Sequence, residues 1–372
     1  MFFLETYAMP IVTGILALLI IYFVLLDVFE VVILPRRVTR ALRLASIINR
    51  LAWTPWSAIG HRIHDRNRRE NFLGIYGPLS LIFLLFIWAI GIIFGFALLQ
   101  WALGSPFNAP EKIPNFGTDL YVSGTTFFTL GLGDVTPQTG PARFLTVIEG
   151  GGGFGILAVV IGYLPVLYQS FSRREVNISL LDARAGSPPS AVELLRRYGQ
   201  HQSSDALKDF LNEWERWSAE LLESHLSYPS LAYFRSQHDN QSWLASLTMI
   251  LDACALIMSG IDGLPMKKAK LTFAMARHAA VDLSQIIRAK PRECHTDRLP
   301  PGALATVCAL LEDAGLKPRN SESSEKQLRQ FREMYEPYVN ALSEQLLMEL
   351  PPWIPDQEAQ DDWMTTADER EG

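Results

Sequence analysis

Cysteine is scarce: Cys254, Cys294 and Cys308 are the only three in 372 residues, an odd number with no paired spacing. That argues against a disulfide framework and suits a reducing cytoplasm. No Cys-x-x-Cys and no His pair at i, i+4 occurs. His225, His238, Asp239 and His278 are therefore read as packed or exposed side chains rather than a gathered metal or ligand site, and Cys294-His295 stands alone. No nucleophile–base set can be assembled from the spacings, so an enzyme has no support, and no cofactor is expected. Alternating strand patterns, internal repeats and strand-linked glycine motifs are missing as well, which leaves helices to build the chain.

Charge is unevenly spread. Of the 33 Lys+Arg and 39 Asp+Glu, residues 1–172 carry 11 and 9, and residues 173–372 carry 22 and 30. The second half is an acidic, water-soluble region without the basic stripe that nucleic acid requires. The apolar residues concentrate in the first half.

Residues 11–34 form a nearly unbroken apolar run, longer than the roughly 20 needed to cross a bilayer. Residues 1–10 offer Glu5 and no Lys or Arg, unlike a secretory signal, so the run is read as a retained membrane helix. Inside it Asp27 and Glu30 lie three apart on one helical face. Ionisable groups within a span are functional candidates. Two readings stand: an interfacial ion pair with Arg36 and Arg37, which is favoured, or a proton- or cation-sensing role.

Residues 35–70 hold nine arginines against Asp65 and Glu70, which makes this linker cytoplasmic. Leu44, Ile47, Ile48 and Leu51 recur at helical spacing, with Trp53 and Trp56 following, as in an amphipathic helix lying on the inner leaflet. Arg37, Arg40 and Arg43 at intervals of three suggest a voltage-sensing helix, but Pro35 and the polar stretch beyond Gly60 leave it a poor span. Residues 73–103 are the second span, with Trp88 and Trp101 available near interfaces. The Pro-containing stretch 104–117, with Glu111 and Lys112, reads as an outer loop. Residues 144–171 are the third span, closed on the cytoplasmic side by Arg173 and Arg174.

Between the second and third spans lies Thr129-Leu130-Gly131-Leu132-Gly133-Asp134. Glycine at every second position tolerates left-handed backbone, which turns alternate carbonyls toward one axis. A dehydrated cation needs such a column of oxygens. The string resembles the selectivity filter of pore-loop potassium channels, usually Thr-Val-Gly-Tyr-Gly-Asp. The preceding residues 118–128 match a short pore helix whose negative dipole end faces a cation. Pro137, Thr139 and Arg143 fall where several family members carry the same residue types.

The resemblance implies that K+ is held by the carbonyls of Thr129, Leu130, Gly131 and Leu132 and by the Thr129 hydroxyl, with Gly133 completing the filter. It implies that Tyr121 braces Asp134. Leu132 departs from the usual tyrosine, so the aromatic collar behind the filter is weaker or differently built, and Thr125 stands where some relatives have a buried glutamate.

The third span contains four consecutive glycines, 150–153, each costing about 1 kcal/mol in a helix relative to alanine. Either the helix bends there during gating, with Gly152 and Gly153 as the hinge that the resemblance favours, or it packs closely against the pore helix. The run also fits Gly-x-Gly-x-x-Gly, but it follows no strand and has no acid about 20 residues on. Glu149 sits at filter depth, either neutral and hydrogen-bonded behind the filter or a gating group.

Beyond Glu175 the pattern is soluble and helical. Residues 186–189 make a linker, and Ser190-x-x-Glu193 reads as a capping box. Leu207, Phe210, Leu211, Trp214, Trp217, Leu221 and Leu222 mark one helical face, continued by His225. Three to five helical segments follow, broken near 228–229, 263–265, 290–291 and 317–318.

The expected fold is an all-α membrane protein with three transmembrane helices, a re-entrant pore helix and filter, and a cytoplasmic all-α helical domain. The divisions are an N-terminal span 1–35, a basic linker 36–72, a pore domain 73–172, a helical domain 173–350 and an acidic disordered tail 351–372. The expected function is passive potassium conduction in a cell membrane of the bacterial inner type, with the N-terminus out and the C-terminal half in. Self (a homotetramer) and lipid are the expected partners, nucleic acid is not one, and the sequence names no ligand for residues 173–350. A weakly selective cation pore and a membrane-anchored sensor or scaffold are the alternatives.

Overall fold

The computed structural model describes residues 2–34, 44–110, 113–200, 204–237, 240–292, 297–300 and 302–354. Arg36, Arg37, Arg40, Arg43, Glu111, Lys112, His238, Asp239, Cys294 and His295 lie outside these residues. The ion pair expected of Asp27 and Glu30 with Arg36 and Arg37 lies outside them too. Nearly everything described is helical, and two short antiparallel ladders complete it: β1 (Phe107–Asn108) with β2 (Thr136–Pro137), and β3 (Ile261–Asp262) with β4 (Lys317–Pro318).

Contacts divide the chain into two units, residues 1–56 with 78–168, and 57–77 with 169–372. Residues 57–77, expected in the linker and at the start of the pore domain, group with the C-terminal unit. Ring and ion contacts explain the grouping: Tyr76 stacks at 5.3 Å on Tyr233, and Arg235 pairs with Glu70 at 3.2 Å. Arg69 pairs with Glu349 at 2.6 Å.

The first unit contains α1 (Phe2–Val28), which ends in a π-turn (Phe29–Ile33), most of α2 (Leu44–Gly60), and most of α3 (Arg66–Ala102). It also holds α4 (Phe116–Phe127) and the first part of α5 (Gly140–Ala185). Two glycines one turn apart let α1 approach α3. A Cβ at Gly91 would lie 2.7 Å from Val24 Cγ2, and one at Gly95 would lie 2.6 Å from Ile21 Cγ1. Small residues four apart are how membrane helices gain close van der Waals contact when apolar surface alone gives no preference over lipid.

On the same seam Asp27 is fully buried. Its carboxylate accepts from Trp88 Nε1 at 2.9 Å and from the Ala45 amide at 3.2 Å, in the first turn of α2. A helix start presents unpaired amides and positive dipole, so the carboxylate has two independent stabilising partners. Trp88, expected near an interface, is instead a core residue, 1% exposed. Glu30 falls in the π-turn and is half-buried. In α2, Ala45 and Ile48 pack into the core with α1 and α3, whereas Ile47 and Leu51 are exposed.

The second unit is built on α9 (Met266–Ile287), with α7 (Ser204–Ser227) and α8 (Trp243–Gly260) against it. Shorter helices follow: α6 (Ala191–Gln200), a 3-10 turn (Pro229–Tyr233), α10 (Ala303–Asp313), α11 (Glu322–Glu333) and α12 (Glu336–Leu346). Among the described residues four helices are long and apolar enough to cross a membrane, one more than expected. The fourth is α8, whose apolar window is 94% buried inside the unit, against 11% for α5. Its hydropathy serves a protein core.

Every residue expected on the apolar face of α7 is buried, His225 included. The expected capping box is half made: Ser190 Oγ accepts from the Glu193 amide at 3.4 Å, but the Glu193 carboxylate is held by Arg196 and Arg197. The packed region also outruns its expected end at 350. Trp353 is 1% exposed, its carbonyl accepts from Ser190 Oγ, and its ring lies against the Arg298 and Arg332 guanidinium groups.

Two outcomes are expected. Asp27→Ala leaves the Trp88 indole and an α2 amide without an acceptor, costing about 1–3 kcal/mol. Thermal unfolding in detergent should fall, and Asp27→Asn, which keeps an oxygen, should lose less. Burial, with the Arg174 guanidinium nearby, pushes the His225 imidazole from 6.5 down to about 3. The unfolded chain therefore binds the extra proton. Stability from this group is full above pH 6.5 and is lost as pH falls from there toward about 3. Unfolding temperature measured from neutral pH downward should show that slope, and His225→Gln should flatten it.

Candidate functional site

The expected filter starts where a capped helix stops. Asn115 opens α4: its Oδ1 accepts from the Gly117 amide at 2.8 Å while Thr118 Oγ1 accepts from the Asn115 amide at 3.2 Å, a reciprocal cap. Asp119, buried in the first turn, accepts from Ser105 Oγ at 2.6 Å and sits at the positive end of the helix.

At the other end the helix carbonyls are taken by the residues that follow. Gly124 O accepts from Phe128 N at 3.1 Å, Thr126 O from Thr129 N at 3.0 Å, and Thr125 O from Leu130 N at 2.8 Å. The chain reverses handedness at every second position thereafter. Thr129 has φ +58°, Gly131 +52° and Gly133 +79°, while Leu130 and Leu132 stay outside the positive-φ set.

Nothing lies within 4 Å of a Cβ built on Gly131 or Gly133, so backbone conformation, and not space, requires glycine there. Thr129 is β-branched and strained in this region, at a cost of order 1–3 kcal/mol. The amide bonds to Thr126 and Thr125 on either side of it hold the strain in place.

Beyond the filter segment, Tyr121 Oη donates to Asp134 Oδ2 at 2.8 Å. Arg143 Nε donates to Pro137 O at 3.1 Å, and Thr139 Oγ1 accepts from the Ala142 amide in the first turn of α5. The β1–β2 ladder ties residues 107 and 108 to residues 137 and 136.

Side chains of the segment itself, Leu130 and Leu132 among them, are exposed. Leu132 therefore has no collar supplied by its own chain. Phe128 and, on α5, Phe144, Val147, Phe154, Leu157 and Ile161 are also exposed, which leaves a broad apolar face uncovered.

Behind the segment α5 closes on α4. A Cβ at Gly153 would lie 2.4 Å from the Phe127 carbonyl oxygen, whereas Gly151 and Gly152 face open space. The helix is continuous through all four glycines. Glu149, 1% exposed, meets Ser123 Oγ, which also reaches the Ile93 carbonyl of α3 at 2.7 Å. Ser123 carries no sequence signal; a lone serine in an apolar helix looks like any other. The glycine pair 91 and 95, by contrast, is a readable small-x-x-x-small pattern.

Asp27 and Glu30 are not brought to the filter segment. His225 is buried beside Trp243, His278 is exposed beside Asp282, and among the described residues no cluster of His, Cys, Asp and Glu is placed to hold a metal.

Residues 81–169, which run from α3 through α4 and the segment 129–134 into α5, match the family model described as Ion channel. No curated protein and no solved structure matches the chain. The match includes the six-residue string, so the resemblance read there extends over residues 81–169.

Gly153→Ala should lower the unfolding temperature, since the added methyl meets backbone that cannot rotate away, an overpacking of about 1–3 kcal/mol. Gly151→Ala should cost little or stabilise, alanine being the better helix former. Equal effects of the two would contradict the close packing.

Proposed function

We propose that the chain is one subunit of a homotetrameric, potassium-selective channel in which residues 129–133 line the conduction path. The alternation of positive and negative φ directly after the pore helix carries this reading. Such alternation turns successive peptide planes so that carbonyl oxygens gather on one side, as a dehydrated cation requires. Thr129, Leu130, Gly131 and Leu132 offer those oxygens, with the Thr129 hydroxyl below them. The carboxyl end of α4 adds its negative dipole.

One loop per chain supplies one quarter of a ring, so four copies are needed, and the uncovered apolar face of α5 and Phe128 suits neighbouring subunits. The outer faces of α1 and α3 suit lipid. Conduction is passive and draws on no cofactor. The N-terminus and the filter loop lie outside and the acidic second unit inside, by the charge of the 35–70 linker. α5 includes residues of both units and so is the element by which the second unit would bias the pore between closed and open, with Gly152 as the bending point that meets no obstruction.

The exposure of Leu132 favours one alternative, a pore that passes sodium as well. Potassium and sodium fluxes into proteoliposomes of purified protein separate the readings. Potassium flux well above sodium flux, abolished by Gly131→Ala, is the expected result. Equal fluxes would indicate a weakly selective pore, and no flux from the wild type would favour a membrane-anchored scaffold. Alanine at φ +52° is strained without meeting any neighbour, so Gly131→Ala should still assemble.

A further inference from the structure

We infer that Glu149 and Ser123 form a hydrogen-bond chain that fixes the pore helix from behind and thereby sets ion selectivity, Glu149 being its proton donor and a positioning residue. The inference rests on the pore reading above.

Three helices meet at one hydroxyl. Ser123 belongs to α4, one turn before the residues that lead into the filter segment. Its Oγ lies 2.7 Å from Ile93 O on α3 and in hydrogen-bond contact with Glu149 Oε1 on α5. Ser123 and Glu149 are each 1% exposed. A hydroxyl has a single proton to give and lone pairs to receive another. If that proton goes to the Ile93 carbonyl, the hydrogen between Ser123 and Glu149 must come from the carboxyl. The chain then runs Glu149 to Ser123 to Ile93 with one hydrogen in each of its two contacts.

Were the carboxyl an acceptor only, two oxygens would compete for one hydrogen, and one of the two close oxygen contacts of Ser123 would set lone pair against lone pair in a water-poor site. The sequence around the chain offers no competing ionisable group. α3 has none between Tyr76 and its end, and α5 has none between Arg143 and Tyr163 except Glu149. The nearest acid along α4 is Asp119, which is engaged with Ser105.

Two residues beyond Ser123, Thr125 offers the carbonyl that receives the Leu130 amide. A displacement of α4 at Ser123 is therefore passed straight to the oxygens of residues 129–132. Gly153, one turn along α5 from Glu149, closes on the Phe127 carbonyl and forms the second support. The two contacts together hold α4 against α5, and the serine bond to Ile93 holds it against α3.

The test is the bi-ionic potassium/sodium permeability ratio of the full-length protein in planar bilayers. Glu149→Ala and Ser123→Ala should each reduce the ratio by about tenfold, the equivalent of one buried hydrogen bond. Glu149→Gln, whose amide still donates to Ser123, should restore most of it, which a merely space-filling role would not explain, because Glu149→Leu should not. If Glu149→Ala fails to assemble, Ser123→Ala carries the test. A selective wild type with unchanged ratios in both alanine variants overturns the inference and leaves the pore reading intact. Rescue by Glu149→Leu but not by Glu149→Gln also overturns it. A wild type without current removes the pore reading and this inference with it.

Discussion

The amide of Leu130 bonded to the carbonyl of Thr125 is the joint on which the membrane unit turns. A helix end leaves carbonyls unpaired, and the chain beyond normally leaves them to water or to a capping glycine. Here the residues that follow take them, and to do so the backbone must pass into the left-handed region at Thr129, a position a β-branched residue enters only under restraint. The handedness then alternates through Gly131 and Gly133. A six-residue string thus becomes a backbone shape because α4 stops where it does and its last carbonyls hold the next amides.

The rest of the unit keeps that helix end still. Gly153 removes a side chain so that α5 can rest on Phe127, Ser123 ties α4 to both flanking helices, and Tyr121 holds Asp134 on the far side of the segment. One shell further out, the close approach of α1 to α3 and the buried Asp27 carboxylate fix the outer helices and the start of α2. Each contact joins backbone or a short polar side chain to backbone or ring, and such contacts yield less than aliphatic packing does.

Much of this was legible in the order of residues. Three apolar runs pointed to the long apolar helices α1, α3 and α5, the 3.6-residue recurrence of Leu207 through Leu222 to the buried face of α7, and the spacing of Gly131, Gly133 and Asp134 to the segment of alternating φ and its bond to Tyr121. What escaped the sequence depends on register between distant elements. Asp27 meets Trp88 61 residues away, and Ser123 meets Glu149 26 residues away; neither pair has a local pattern. α8, which falls in the region read as soluble, has the hydropathy of a membrane span because a helix buried on all sides by protein needs the same composition as one surrounded by lipid. Tyr76, Arg235 and Trp353 make their contacts within the second unit through pairings that composition does not encode.

The central claim is that four copies of residues 129–133 converge and offer their carbonyls to one path. A high-resolution cryo-electron microscopy map of the purified protein in potassium chloride tests it most directly. The account predicts fourfold symmetry with a column of ion densities on the axis, ringed by the carbonyl oxygens of Thr129, Leu130, Gly131 and Leu132. A particle without that symmetry, or one whose residues 129–133 turn their oxygens away from the axis, would contradict it.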